Sequence, residues 1–241
     1  HLFGIPGDYN LKFVKQIEKH SISFINATRE NTAGFMADAY ARKKGLGACL
    51  ITYGVGINIV NAASQAFSES SPLVIISGAP GKQEMKKSIY RHHMINPTEK
   101  DDHEYTQENI FKNITVAQAI LTDEKCAKQQ IDQVLQSAFF HKKPVYIELP
   151  RDVVTQTIVC EDVQETVDIP NREALREAVL EIKKRLKNSK NPVMWIGHEV
   201  QRHFLGESLI KFAEKIRIPI VSSLMAKGTI SERHPLFAGI Y

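Results

Sequence analysis

The sequence predicts an α/β protein, a parallel sheet flanked by helices, followed by the first part of a second, Rossmann-like α/β domain. Three observations carry that reading. Short β-rich apolar runs alternate with helical stripes along the whole chain, the pattern of a parallel sheet with crossover helices. Several of those runs are apolar at consecutive positions, as strands covered on both faces are. The composition is that of an ordinary globular protein: 43% hydrophobic and 24% charged over 241 residues. That excludes disorder, collagen and coiled-coil rods.

Taken in order, strands are expected at Leu2–Ile5, Ser23–Asn26, Ala48–Tyr53, Leu73–Ser77, Val145–Glu148, Val193–Ile196 and Pro219–Ser222. Between them helices are expected at Asn10–His20, Asn31–Arg42, Ile57–Glu69, Glu124–Phe140, Arg172–Lys187 and Phe204–Lys215. The helix after Pro170 has the fullest set of signals. Asn171 caps it, Leu175, Val179, Ile182 and Leu186 form one apolar stripe, and Lys183, Lys184, Arg185 and Lys187 crowd its negative end. The stretch 151–170 has no helical stripe and mixes β-branched residues with acids. The division that follows is a first domain over 1–155, a linker over 156–170 and part of a second domain over 171–241. The chain opens at His1 already inside a strand and stops at Tyr241, so it reads as an internal piece of a longer protein.

Charge and cysteine usage narrow the class. Lys and Arg number 31 against 27 Asp and Glu, a scattered excess of four. No nucleic-acid partner is expected from so small an imbalance; Lys86-Lys87 and Lys183-Lys184-Arg185 read as solvated helix faces. Cys49, Cys126 and Cys160 are too irregularly spaced for a disulfide framework or a zinc site. No apolar run approaches the ~20 residues that span a bilayer, and no signal peptide is evident. A cytoplasmic protein without membrane contact is the expectation.

Several residues could carry chemistry. GIPGDYN (4–10) follows a strand and opens a helix, where free N–H groups meet ligands; it contains Pro6, Gly7 and Asp8. Gly54-Val55-Gly56 sits in an equivalent place but fails the dinucleotide fingerprint, because position 59 is Ile. Both also read as tight strand-to-helix turns. Glu30 follows the strand SFIN at the entrance of a helix, the end of a sheet at which open α/β folds bind ligands. A carboxylate there is equally explained by the helix dipole. Asp38 is expected to face solvent or cap locally. His92-His93 lies in a long polar stretch with Asp101, Asp102, His103 and Glu104 close behind. That stretch reads as a solvated loop or a catalytic histidine pair rather than a metal site, and no metal held by this chain is expected. Trp195, in a strand, is expected in the core.

Taken together, HLFGIPGDYN, ATRENTAGFMADAYAR, ITYGVGINIVNAASQAFSESSPLVIISGAP, RHH and KPVYIELPRDV resemble the first domain of thiamine diphosphate-dependent 2-oxo acid decarboxylases. These are the pyruvate, indolepyruvate and branched-chain 2-oxo acid types. The resemblance runs in order over residues 1–152 and continues through NPVMWIGHEVQ and IPIVSSLMAKGTISERHPLFAGIY into that family's middle domain.

The resemblance implies decarboxylation of a small 2-oxo acid to an aldehyde and CO2. It implies that Glu30 hydrogen-bonds N1′ of the aminopyrimidine, favouring the imino tautomer whose exocyclic nitrogen deprotonates the thiazolium. It places Pro6, Gly7, Gly54, Val55 and Gly56 beside that ring, and Asp8, His92 and His93 on the substrate side as proton-handling groups. It assigns the diphosphate and Mg²⁺ to a further domain absent from this chain. The two ends of the cofactor are then held by different subunits of at least a homodimer. In that reading the small residues Ala33, Gly34, Ala62 and Ala63 belong to the interface. One departure stands out: Met94-Ile95-Asn96-Pro97 follows the histidine pair where the family has a Thr-Leu-Gly type sequence. Two alternatives remain. An acetolactate synthase-type carboligase shares the scaffold but generally lacks tandem histidines, and a non-catalytic nucleotide-binding module would need no Glu30 in this place.

Overall fold

The computed structural model describes residues 1–86, 106–158 and 171–241. The chain divides into two compact units, His1–Gln164 and Glu165–Tyr241. In the first unit the apolar runs become β1 (Leu2–Gly4), β2 (Phe24–Asn26), β3 (Gly47–Thr52), β4 (Leu73–Ala79), β5 (Gln118–Ile120) and β6 (Val145–Pro150). Between them run α1 (Leu11–Ile17), α2 (Glu30–Lys44), α3 (Val60–Ser68), α4 (Lys82–Lys86), α5 (Thr106–Phe111) and α6 (Ala127–His141).

All strand pairs are parallel, in the order β2-β1-β3-β4-β6-β5. The order reverses between β1 and β3, so their carboxyl ends open a crevice, the usual ligand position in such sheets. The register Gly4↔Leu50, Thr52↔Gly78 and Ala79↔Pro150 aligns those ends along one edge.

Burial explains the consecutive apolar runs. On β3, Cys49 and Ile51 face α2 and α3 while Leu50 faces α1, and all three are fully buried. Val74, Val145 and Ile147 pack beneath α6. Each fully buried aliphatic is worth about 1.5–3 kcal/mol, whereas exposed ion pairs contribute about 0–1 kcal/mol. The two-sided apolar sandwich therefore holds the sheet.

Helix α2 lies unusually close to it. A Cβ on Gly47 would sit 1.9 Å from the Ala37 carbonyl oxygen, and one on Gly34 would sit 2.6 Å from Ala62 Cβ on α3. Ala33, Ala62 and Ala63 are fully buried in that contact. The small residues expected at a subunit interface thus serve helix–helix and helix–sheet packing within the chain. Asp38 also departs from expectation. It is buried, paired with Arg42 at 2.8 Å and bonded by Gln65 at 3.0 Å, because its face of α2 turns toward α3. A buried carboxylate needs such partners.

The second unit holds α7 (Arg172–Asn188), β7 (Met194–Ile196), α8 (Glu199–Arg202), α9 (Gly206–Ile216), β8 (Ile220–Ser222) and β9 (Phe237–Ile240), with a parallel sheet ordered β7-β8-β9. Asn171 caps α7 by accepting from the N–H groups of Glu173 and Ala174. The stripe on α7 is present, yet Leu175, Val179 and Ile182 stay exposed. Trp195 is 66% exposed rather than core. Strand alternation gives its buried neighbour Ile196 the core side and puts the indole on the opposite face, edge-on to Tyr241. Among the described residues no helix is long and apolar enough to cross a membrane, and no cluster of His, Cys, Asp or Glu could hold a metal.

The loops leaving β4 and β6 are tied to each other. Arg151 N–H donates to the Ala79 carbonyl, Asp152 accepts from the N–H of Lys82, and Arg151 makes a two-pronged contact with Glu84, one bond being 2.8 Å. Arg151 also lies over the ring of Tyr9, 5.4 Å from its centre. Its guanidinium holds the Glu84 carboxyl below its ordinary value of 4.5, and Glu84 in turn raises Arg151.

Two outcomes follow. Gly47→Ala destabilises the first unit by on the order of 3 kcal/mol, because the methyl group meets backbone; urea unfolding followed by far-ultraviolet circular dichroism measures it. Folding lowers the Glu84 pKa, so its contribution is complete above the unfolded value of about 4.5. It is withdrawn as the pH falls from there through the folded value. Glu84→Gln therefore shows a shallower fall in melting temperature below pH 4.5 than the parent protein.

Candidate functional site

Where parallel strands end, the sheet ladder no longer pairs the backbone, and the loops must find other partners. The loop after β1 is satisfied by a buried amide. Asn10 Nδ2 donates to the carbonyls of Ile5 and Ile51, each at 3.1 Å, while its Oδ1 accepts the Gly7 N–H at 2.8 Å. Asn10 is fully buried. Its side chain is spent on the loop, which is why it makes no cap bond to α1. A Cβ on Gly7 would lie 2.8 Å from Thr52 Cβ, and one on Gly78 would lie 2.6 Å from Asn10 Cβ. The loop is pressed onto the ends of β3 and β4, with room for glycine alone.

The loop after β3 is tighter still. Gly54 has φ 79° and ψ −81°, and the Val55 N–H returns to the Tyr53 carbonyl at 3.1 Å. This is a γ-turn of the rare positive-φ kind. A short 3-10 turn, Val55–Ile59, then leads into α3. Gly56 is buried, whereas Val55 remains 46% exposed at the loop's tip. Gly54 donates its N–H at 2.6 Å to Oε1 of Gln107 on α5. Gln107 Nε2 donates to Ser77 Oγ at 2.7 Å and to the Tyr146 hydroxyl at 2.9 Å, and Tyr146 donates to Glu148 Oε2 at 2.8 Å. Gln107, Ser77, Tyr146 and Glu148 are all buried. Burial, reinforced by the Glu148 charge, drives the Tyr146 phenol well above its ordinary value.

The sequence-predicted residues fall along this edge as follows. Glu30 is the first residue of α2, after a loop in which the Ala27 N–H is still held by the Gly4 carbonyl. It is half-buried in the single chain. Pro6, Gly7 and exposed Asp8 belong to the loop between β1 and α1. Asp8 lines a cavity of about 470 Å³ with Lys12, Gly81, Glu84, Arg151 and Asp152. Gly54, Val55 and Gly56 form the γ-turn and the start of the 3-10 turn. His92 and His93 lie outside the described residues. The roles of Asn10 and Gln107 carry no sequence signal. Asn10 stands at an expected helix start, and nothing local marks a Gln in the first turn of a short helix as a partner of a residue 53 positions away.

The edge accordingly offers a carboxylate at a helix start, an exposed apolar side chain and two loops of minimal bulk. It also holds the Thr52 hydroxyl oxygen, buried and without a hydrogen-bond partner among the described residues. That set fits a flat, nitrogen-bearing ring.

Comparison with known proteins gives the family. Residues 1–110 match the thiamine pyrophosphate enzyme N-terminal TPP-binding domain, and residues 179–241 match the central domain of the same enzymes. The chain is 36% identical to an indole-3-pyruvate decarboxylase of Azospirillum brasilense over 236 residues, 96% of this chain and 42% of that protein. It is 30% identical to a pyruvate decarboxylase of Aspergillus parasiticus, over 99% of this chain and 42% of that protein. It is also 30% identical to pyruvate decarboxylase 3 of Arabidopsis thaliana, over 100% of this chain and 41% of that protein. The chain thus spans about two fifths of the length of these relatives. By both domain matches and by the fold that bears them, the chain belongs to the thiamine pyrophosphate enzymes, with their N-terminal cofactor-binding domain over its first part and central-domain sequence over its last.

Proposed function

We propose that the full-length protein is a thiamine diphosphate-dependent, non-oxidative 2-oxo acid decarboxylase that releases an aldehyde and CO2. The observation that carries the reading is Glu30: a half-buried carboxylate on the first turn of α2, at the ligand-binding edge of the sheet. The relatives named as decarboxylases support it. In this reading 1–155 is the pyrimidine-binding domain, 156–170 a linker and 171–241 part of the middle domain. The diphosphate and its Mg²⁺ are held by residues outside this chain.

The cofactor, when bound, supplies the electron sink for the pair released as CO2 departs. The protein's own groups supply the rest. Glu30 accepts and returns a proton at a ring nitrogen, which a carboxyl group can do and an amide cannot. Val55 would lend the bound ring an apolar contact, and Gly7, Gly54 and Gly56 would let the backbone come near.

Replacing a carboxylate by hydrogen requires one proton at the carbon that loses CO2. Asp8, His92 and His93 are the groups assigned to deliver it. The edge carrying Glu30 and Val55 is open in the single chain, so a second copy covers it and the protein is at least a homodimer. Free Cys49 and Cys126 suit a reducing compartment such as the cytoplasm.

In the full-length protein, Glu30→Gln lowers turnover of a 2-oxo acid by roughly 10²–10⁴-fold, the usual worth of positioned acid–base catalysis. Steady-state kinetics with pyruvate and indolepyruvate, at saturating thiamine diphosphate and Mg²⁺, measure it. Activity within threefold of the parent would remove Glu30 from this role.

A further inference from the structure

We propose that Gln107 is a positioning residue for the reaction, acting through the γ-turn at Gly54. The inference rests on the reading above that Gly54-Val55-Gly56 lies beside the cofactor ring. Its own support is the geometry of the turn. A γ-turn with positive φ is strained and persists only where its surroundings over-determine it. Here the strand side is fixed by the Tyr53 N–H on the Gly78 carbonyl at 2.8 Å, and the turn closes on itself through Val55. The remaining donor, the Gly54 N–H, points inward to a side chain 53 residues further along the chain.

Gln107 can grip that N–H because its own amide is held from the other end. Both bonds from Nε2 go to groups planted on the sheet, Ser77 on β4 and Tyr146 on β6. Phe111, one turn further along α5, stacks on the Tyr146 ring with centres 4.5 Å apart, which pins the helix that presents Gln107. A Gln side chain has three rotatable bonds, and the two bonds from Nε2 hold it with Oε1 facing Gly54. The sheet therefore sets the turn through two side-chain links, and the turn sets where Val55 stands.

An error of ~1 Å in such placement costs up to ~10² in rate. Gln107→Met keeps the length of the side chain and removes both grips. In the full-length enzyme it lowers kcat roughly 10- to 100-fold per bound cofactor, with KM for the 2-oxo acid changed less than threefold. Hydrogen exchange over residues 53–57 rises in the same protein, with or without thiamine diphosphate. Gln107→Glu keeps an acceptor for the Gly54 N–H and retains at least fivefold more kcat than Gln107→Met. Val134→Ala, in the α6 core away from the turn, serves as a control that lowers stability and leaves kcat unchanged.

Unchanged exchange at 53–57, or a kcat within twofold of the parent once scaled to bound cofactor, overturns the proposal. So does equal activity of the Met and Glu variants. Should Gln107→Met not fold, Gln107→Asn, one methylene too short for the same reach, carries the comparison. If Glu30→Gln is impaired while the Gln107 variants are not, only the positioning role falls. If Glu30→Gln is fully active, the reading of the site falls first.

Discussion

A parallel sheet runs out of hydrogen-bond partners at its carboxyl edge, and the whole candidate site is built on how this chain meets that shortage. Two buried amides do it. Asn10 gives the loop after β1 one donor and one acceptor and ties it to β3 through Ile51, and Gln107 supplies the acceptor for the loop after β3. A buried N–H left without a partner costs about 1–3 kcal/mol, so each amide biases its loop toward the conformation that keeps its bonds. Side-chain amides suit the task because they donate and accept without charge. A carboxylate could not give Asn10's two N–H bonds, and a lysine could not accept from Gly54.

The same shortage accounts for what was legible in the sequence and what was not. Strands buried on both faces announce themselves as unbroken apolar runs, and β3, β4 and β6 fall within two residues of expectation. The α7 cap at Asn171 was equally plain, since capping is local chemistry. Edge strand β5, three residues long and opening on Gln118, has no such run. Strand β9 is short, and Ala238 and Gly239 at its centre carry little β signal. Asp38 was misjudged because a charge's burial depends on what the next helix offers, here Gln65. Trp195 was misjudged because period two alone does not say which face of a strand receives helices.

The candidate site divides along the same line. Glu30, Asp8 and the two glycine loops were visible because each directly follows a strand, and every strand of a parallel sheet delivers its following loop to one edge. The supports of those loops were invisible, since Asn10 and Gln107 reach across 41 and 53 positions. The family resemblance places the small residues near Glu30 at a subunit interface. Their packing serves the chain itself: Gly34 lets α2 approach Ala62 on α3, as Gly47 lets it approach β3. That closeness fixes the height at which α2 begins, and so where Glu30 stands relative to the strand ends.

Closeness and strain are linked here. Gly54 occupies a conformation that side-chain-bearing residues rarely adopt, and the cost is met by interactions formed elsewhere in the unit. The network that meets it is complete in the sense that matters for a polar core. Gln107 uses its acceptor and both donors, and the Tyr146 hydroxyl receives one bond and gives another. A partly satisfied network in the same place would destabilise the sheet more than an apolar filling would. An apolar filling would leave the Gly54 N–H buried and bare, and the loop would relax toward an ordinary turn. The polar interior between α5 and the sheet is therefore explained by the loop it supports: the fold tolerates four buried polar side chains because one backbone N–H must be held.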